Sequence, residues 1–199
     1  MFEVEKKFKL SENESKRLLE GAEFISEKTF TDIYYDTLEY SLTKNDIWLR
    51  KRGDEFELKL PMHDPSEKGN MQQYQEIEGE EKIREIFAIV PIADFESDIK
   101  VLGYEIFCNL TTTRQKLKKD KFTIDIDLVK SDDFFYELAE IELLVKEKDQ
   151  MNKAAMEIEN FATAQGLEKT YIRGKVLEYL FRKKPKHFTA LIEAGVVVE

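Results

Sequence analysis

Apolar and polar residues alternate with period two through much of the chain, and the alternation is sharpest where charge is densest. In Phe2-Glu3-Val4-Glu5-Lys6-Lys7-Phe8, the side chains of Glu3, Glu5 and Lys7 share one strand face. They lie roughly 6.5–7 Å apart per pair, opposite Phe2, Val4 and Phe8. The same signal predicts strands over 1–9, 24–36, 46–52, 55–60, 71–78, 104–118, 121–128 and 135–146. Helices are expected at 12–20, 80–90, 94–102, 149–165, 174–183 and 186–194. Ser11 and Glu14 form a capping-box signature for the first helix. Met151, Ala155, Ile158 and Ala162 make a stripe on the fourth, with Gly166 as its stop. The stretch from Met62 to Asn70, with Pro61 just before it and Pro65 and Gly69 inside, reads as one long loop. No internal repeat or low-complexity linker is visible. Antiparallel strands with peripheral helices predict an α+β barrel.

The polar faces of the strands separate by sign. Trp48, Arg50 and Arg52 share a face, as do Thr112, Arg114, Lys116 and Lys118. Acids dominate elsewhere: Tyr74, Glu76 and Glu78; Thr123, Asp125 and Asp127; Glu140 and Glu142. Lys59 joins Glu55 and Glu57 opposite three apolar residues. An ordinary half-solvated sheet alternates in this way too, with its charges in water. Two features favour a different arrangement, in which the apolar face lies outward under helices and the charged face lines a lumen. The signs are segregated by strand rather than interspersed, and several amphipathic helices need an apolar surface to cover. A lumen of buried charges needs partners. A polyphosphate with a divalent metal satisfies both signs, with arginine forks on phosphate oxygens and carboxylates on Mg²⁺ or Mn²⁺. No glycine-rich phosphate loop is present, so side chains are expected to hold the phosphate.

Composition narrows the classes. The chain has 199 residues, 36% of them charged, and a net charge of −10. That balance argues against a nucleic-acid partner, which requires a basic surface. No apolar run approaches the ~18–20 residues that span a bilayer, so no membrane partner is expected. Charged strand residues begin at once, so no signal peptide is expected. The single cysteine, Cys108, lies in an apolar stretch; a buried, unreactive thiol and a reducing cytoplasm are expected. His63 and His187 lie far apart among polar residues, where surface positions are expected and a three-histidine zinc site is not.

These residues resemble the CYTH, or triphosphate tunnel metalloenzyme, superfamily. Glu3-Val4-Glu5-Lys6-Lys7 matches its Glu-x-Glu-x-Lys signature, and the resemblance runs from residue 1 to about 182. It implies an eight-stranded antiparallel β-barrel tunnel, with residues 1–199 as a single such domain. Within the superfamily the chain most resembles the thiamine triphosphatases, through Tyr34-Tyr35-Asp36-Thr37, Ser41-Leu42-Thr43 and Asp46-Ile47-Trp48-Leu49-Arg50-Lys51-Arg52. Glu57-Leu58-Lys59, Tyr74-Gln75-Glu76, Thr112-Thr113-Arg114, Asp125-Ile126-Asp127, Glu140-Ile141-Glu142 and Gly174-Lys175 continue the match in order.

The resemblance implies Mg²⁺-dependent hydrolysis of a small-molecule triphosphate, thiamine triphosphate first, with Mn²⁺ as an alternative metal. Lys7, Arg50, Arg52, Lys59, Arg114 and Lys175 are then the substrate-binding cations. Glu3, Glu5, Glu140 and Glu142 are the metal set, with Glu76 and Asp125 as further tunnel acids. Glu3, Glu5, Lys7 and Lys59 are the expected catalytic groups. Trp48, sharing a face with Arg50, can stack on the cationic thiazolium, worth on the order of 0.5–2 kcal/mol; a core tryptophan is the alternative. Where relatives often carry an aromatic after Arg114, Gln115-Lys116-Leu117-Lys118 follows here, which leaves the roles of Lys116 and Lys118 open. Inorganic triphosphatase, adenylate cyclase of the same superfamily and a non-catalytic polyphosphate-binding module are the rivals. The two carboxylate pairs, Glu3/Glu5 and Glu140/Glu142, favour an enzyme over the last.

Overall fold

Strand alternation resolves into a closed antiparallel barrel in a computed structural model that describes residues 2–62, 72–168 and 172–197. The strands are β1 (Phe2–Phe8), β2 (Glu23–Asp36), β3 (Trp48–Arg52), β4 (Glu55–Pro61), β5 (Gln72–Glu78), β6 (Glu105–Lys119), β7 (Phe122–Ser131) and β8 (Phe134–Val145). They pair in the order β1-β5-β4-β3-β2-β6-β7-β8, and β8 returns to β1 with Glu5 opposite Glu142 and Lys7 opposite Glu140. The helices are α1 (Glu12–Leu19), α2 (Glu80–Phe87), α3 (Phe95–Val101), α4 (Met151–Ala164), α5 (Lys175–Lys183) and α6 (Pro185–Glu193). Among the described residues no helix is long and apolar enough to cross a membrane. The expected loop position His63, with Pro65 and Gly69, lies outside the described residues.

Apolar strand faces point outward, under the helices. Val4, Phe8, Ile124, Ala139 and Ile141 pack against Leu18 of α1 and the Met151, Ile158 and Ala162 stripe of α4. On another side Tyr35, Leu49, Phe56 and Leu58 meet Ile83 of α2 and Phe95 and Ile99 of α3. Lys6 shares this outward side of β1; it is buried, and its ammonium donates to Glu159 of α4 at 2.8 Å. The inward faces are charged along the middle of the tunnel and turn apolar toward one end, at Tyr34, Cys108, Leu110, Phe134, Tyr136 and Leu138. Val176 and Tyr179 of α5 pack there, while Leu177 and Leu180 meet Trp48 and, from α6, Phe188 and Leu191. The two C-terminal helices therefore close one end of the barrel. The N-terminus of α5 faces the tunnel.

Three differences from the sequence reading have local causes. β3 begins at Trp48 rather than at 46, because Asp46 takes a left-handed conformation (φ 58°) after the 3₁₀ turn Thr43–Asn45. Helix α2 stops at Phe87, where Ala88 turns left-handed (φ 53°). β7 continues to Ser131 and reaches β8 through a tight turn with Asp132 at φ 46°. His187 overturns the surface expectation: it is 2% exposed, stacks on Tyr40 at 3.9 Å and shares a 2.7 Å hydrogen bond with Thr43 Oγ1. Its neighbours Lys184 and Lys186 are polar and exposed, but the histidine lies on the side of α6 that packs against the loop before β3. Cys108 is buried as expected, and burial holds its thiol well above the usual range.

Candidate active site

Register brings the acidic strands together. Glu5 lies opposite Glu142 across β1–β8, and Asp125 opposite Glu140 across β7–β8. Glu3, Glu5 and Glu142 offer carboxylate oxygens within 4.8 Å of one another; so do Asp125, Glu140 and Glu142. Like charges at this spacing resist ionisation. Burial, with Glu5 beside it, raises Glu3 to about 7. Burial, with Glu3 and Asp125 nearby, raises Glu142 to about 9. Glu5 goes the other way: Lys7 and Lys59 outweigh its burial and hold it at about 2. Asp125 is fully buried beneath the cavity surface and raised by that burial, although Arg114 and Lys116 oppose the shift. Its Oδ1 has no hydrogen-bond partner. An orphaned oxygen in an all-carboxylate cluster fits a hard divalent cation.

The cations line the same cavity, where Lys7, Arg50, Arg52, Lys59, Arg114 and Lys175 converge. Lys7 donates to Glu5 and lies 3.6 Å from Glu140. Lys59 pairs with Glu76 at 2.5 Å. Glu76 stands outside both carboxylate triples. Arg114 donates through Nε and Nη2 to Asp127 at 2.6 and 2.7 Å, and through Nη1 to Asp125 at 2.6 Å. Lys116 sits 3.0 Å from Asp125 and 3.6 Å from Glu142, which assigns it to the acidic side. Lys118 instead donates to the Lys121 carbonyl at 2.9 Å, outside the cluster. Lys175, the first residue of α5, donates to Asp32 at 2.5 Å and Thr112 Oγ1 at 3.1 Å.

Trp48 borders both environments. Its ring lines the cavity beside Arg50, packs on Leu177 and Leu180 behind, and donates Nε1–H to Asp46 at 2.8 Å. Tyr74 donates to the same Asp46 oxygen at 2.9 Å.

The structure adds four residues that the sequence reading did not single out for the site. Asp32, fully buried, holds Arg52 and Lys175. Glu57 accepts from Arg50, and Asp127 from Arg114. Phe30 presents its ring to Arg52 at 4.1 Å and Lys175 at 5.1 Å. Strand parity could have placed Phe30, Asp32 and Tyr34 on one face; their partners depend on register.

The CYTH domain family matches residues 1–173. The chain is 30% identical to thiamine-triphosphatase of Macaca fascicularis and 29% to that of Homo sapiens, in each case over 98% of this chain and 91% of the relative. A solved Pyrococcus horikoshii protein superposes with TM-score 0.61 at 25% identity, over 91% of this chain and 99% of that one. A Hippeastrum protein described as having a dominant triphosphatase activity shares the fold at 16% identity and TM-score 0.57, over 92% and 96%. With the signature glutamates and lysine gathered in one barrel lumen, the chain belongs to the CYTH domain family.

Proposed function

We propose that this protein hydrolyses thiamine triphosphate to thiamine diphosphate and phosphate with Mg²⁺, for which Mn²⁺ can substitute. The observation that carries the reading is the meeting of two carboxylate triples with six cations around one cavity. Glu3, Glu5 and Glu142, with Asp125 and Glu140, would hold the metal. When bound, the metal supplies charge neutralisation on the phosphate oxygens. Arg50, Arg52, Arg114 and Lys175 bind the phosphate chain and orient its terminal phosphorus. Water attacks that phosphorus, the bond to the bridging oxygen breaks, and the electron pair leaves on the diphosphate. Lys7 and Lys59 neutralise that leaving charge. Glu3 and Glu5, through carboxylate oxygens that the metal leaves free, orient the water and take its proton. Glu76 pairs with Lys59 and holds it in place. The single buried cysteine fits a cytoplasmic setting.

A second reading, general inorganic triphosphatase, draws on the packing of Trp48 against Leu177 and Leu180, which gives the ring a structural role. Phosphate release from thiamine triphosphate, inorganic triphosphate and ATP at matched concentrations, with and without Mg²⁺, separates the readings. The thiamine reading requires the first substrate to win on kcat/KM. Equal or better turnover of inorganic triphosphate favours the second. Glu5→Gln is expected to abolish metal-dependent turnover; activity surviving that change overturns the metal assignment.

A further inference from the structure

Each tunnel arginine faces a carboxylate at the directly opposed position of the neighbouring strand: Arg50 faces Glu57, Arg52 faces Asp32, and Arg114 faces Asp127. In every pair the carboxylate takes the Nε and Nη2 edge of the guanidinium. That grip fixes the plane of the fork and leaves Nη1 as the group the facing carboxylate does not engage.

Asp32 does more than its two counterparts. Its Oδ2, besides accepting from Arg52 Nη2 at 3.0 Å, accepts from Lys175 Nζ at 2.5 Å and lies 4.0 Å from Arg50 Nη1. One fully buried carboxylate on β2 thus joins two arginines of β3 to the first residue of the helix that closes the tunnel. Phe30, two residues along the same face, presents its ring to the same Arg52 and Lys175. Burial pulls Lys175 below the usual lysine range, while Asp32 and Asp127 oppose that shift. In turn, Lys175 and Arg52 outweigh the burial of Asp32 and hold it well below the usual carboxylate range.

We propose that Asp32 is a positioning residue for triphosphate binding, which locks Lys175 and Arg52 into one unit and directs their remaining donors at the phosphate chain. This role rests on the triphosphatase reading above. A purely structural tie between β2 and α5 would make a different prediction, because its loss would lower stability without selectively weakening phosphate binding.

The test is a double-mutant cycle of Asp32→Asn and Lys175→Met. It reads KM and kcat for inorganic triphosphate with Mg²⁺, metal-free inorganic triphosphate affinity by calorimetry, and Tm. Asp32→Asn is expected to raise KM and Kd about tenfold or more, and no more than about threefold in the Lys175→Met background. Effects that simply multiply, or a lowered Tm with KM and Kd within about twofold of wild type, overturn the proposal. Should Asp32→Asn fail to fold, Asp32→Glu keeps the charge and displaces it by one methylene. It too is expected to raise KM, and an unchanged KM overturns the proposal. Wild type that binds inorganic triphosphate but hydrolyses no triphosphate overturns the hydrolase reading while the Kd cycle still judges Asp32. Wild type that does not bind it overturns both.

Discussion

A Cβ placed on Gly174 would stand 3.2 Å from Cε of Lys7. Gly174 caps α5 with ordinary backbone angles (φ −62°, ψ 159°), so its lack of a side chain matters for space and not for conformation. The glycine lets the first turn of the closing helix approach the signature lysine, which is in turn paired with Glu5. Gly174→Ala is therefore expected to displace Lys7 by a few tenths of an ångström. Stability should fall by less than about 1 kcal/mol, the usual scale at a helix N-cap. Turnover should fall several-fold more than that loss explains, because about 1 Å of misplacement can reduce rate ~100-fold. Steady-state kinetics beside a thermal melt checks this; equal activity would place Lys7 outside the reacting geometry.

The carboxylate triples make the metal-free protein sensitive to pH in an unusual direction. Glu142 is raised from its ordinary value of 4.5 to about 9, and Glu3 to about 7. The folded state therefore binds more protons than the unfolded state across that window, and stability falls as pH rises through it. Mg²⁺ should abolish the decline by replacing the protons as counter-charge. Glu142→Gln should flatten the metal-free profile and raise Tm above wild type at pH 8, while metal-dependent turnover is lost. Thermal melts from pH 5 to 9 with and without Mg²⁺ test the claim; a wild-type Tm that climbs over this range without metal would refute it.

Strand parity makes the tunnel legible in the sequence. Period-two alternation in β1, β7 and β8 separated Glu3, Glu5, Asp125, Glu140 and Glu142 from the outward apolar residues, and sign segregation pointed to a lumen. Lys175 is visible only through family resemblance, because it belongs to a helix whose position over one tunnel end no strand pattern encodes. Asp32, Glu57 and Asp127 carry the right parity, but which arginine each opposes is a matter of register across β2–β3, β3–β4 and β6–β7, set by the connections between those strands. The burial of His187 escapes the sequence for a related reason. Its neighbours Lys184 and Lys186 are exposed, whereas its own side faces Tyr40 and Phe107.

His187 supplies a second pH dependence, of opposite sign. Burial lowers its pKa from 6.5 to about 4; Asp36 works against the shift, while Lys184 and Lys44 add to it. The unfolded chain then binds the extra proton first, so stability rises with pH across this interval and is lost as pH falls from 6.5 through 4. At about 1.4 kcal/mol per unit, the full effect is roughly 3 kcal/mol. His187→Phe keeps a ring against Tyr40 but removes the proton and leaves Thr43 without its 2.7 Å partner. It should lower stability at pH 7 by about 1–3 kcal/mol and remove this part of the acid limb. Denaturant melts at pH 4.5 and 7 measure both changes; an acid limb of unchanged slope in His187→Phe would assign the effect elsewhere.

Trp48 joins the site to the helices behind it, and the choice of substitution decides what is learned. Trp48→Ala would open a hole against Leu177 and Leu180, costing about 3–5 kcal/mol and loosening the start of α5 with Lys175. Loss of activity would then say nothing about stacking. Trp48→Phe keeps an aromatic face beside Arg50 while surrendering the bond to Asp46, and Trp48→Leu fills much of the space without a π-face. If the indole recognises the thiazolium, Trp48→Leu should lower kcat/KM for thiamine triphosphate about tenfold more than for inorganic triphosphate, and Trp48→Phe should fall between. If the ring only supports α5, both substrates should lose in parallel, and the loss should track Tm. The ratio of the two kcat/KM values is thus the quantity to follow, since damage to Lys175 or Arg50 cancels from it and contact with the organic end does not.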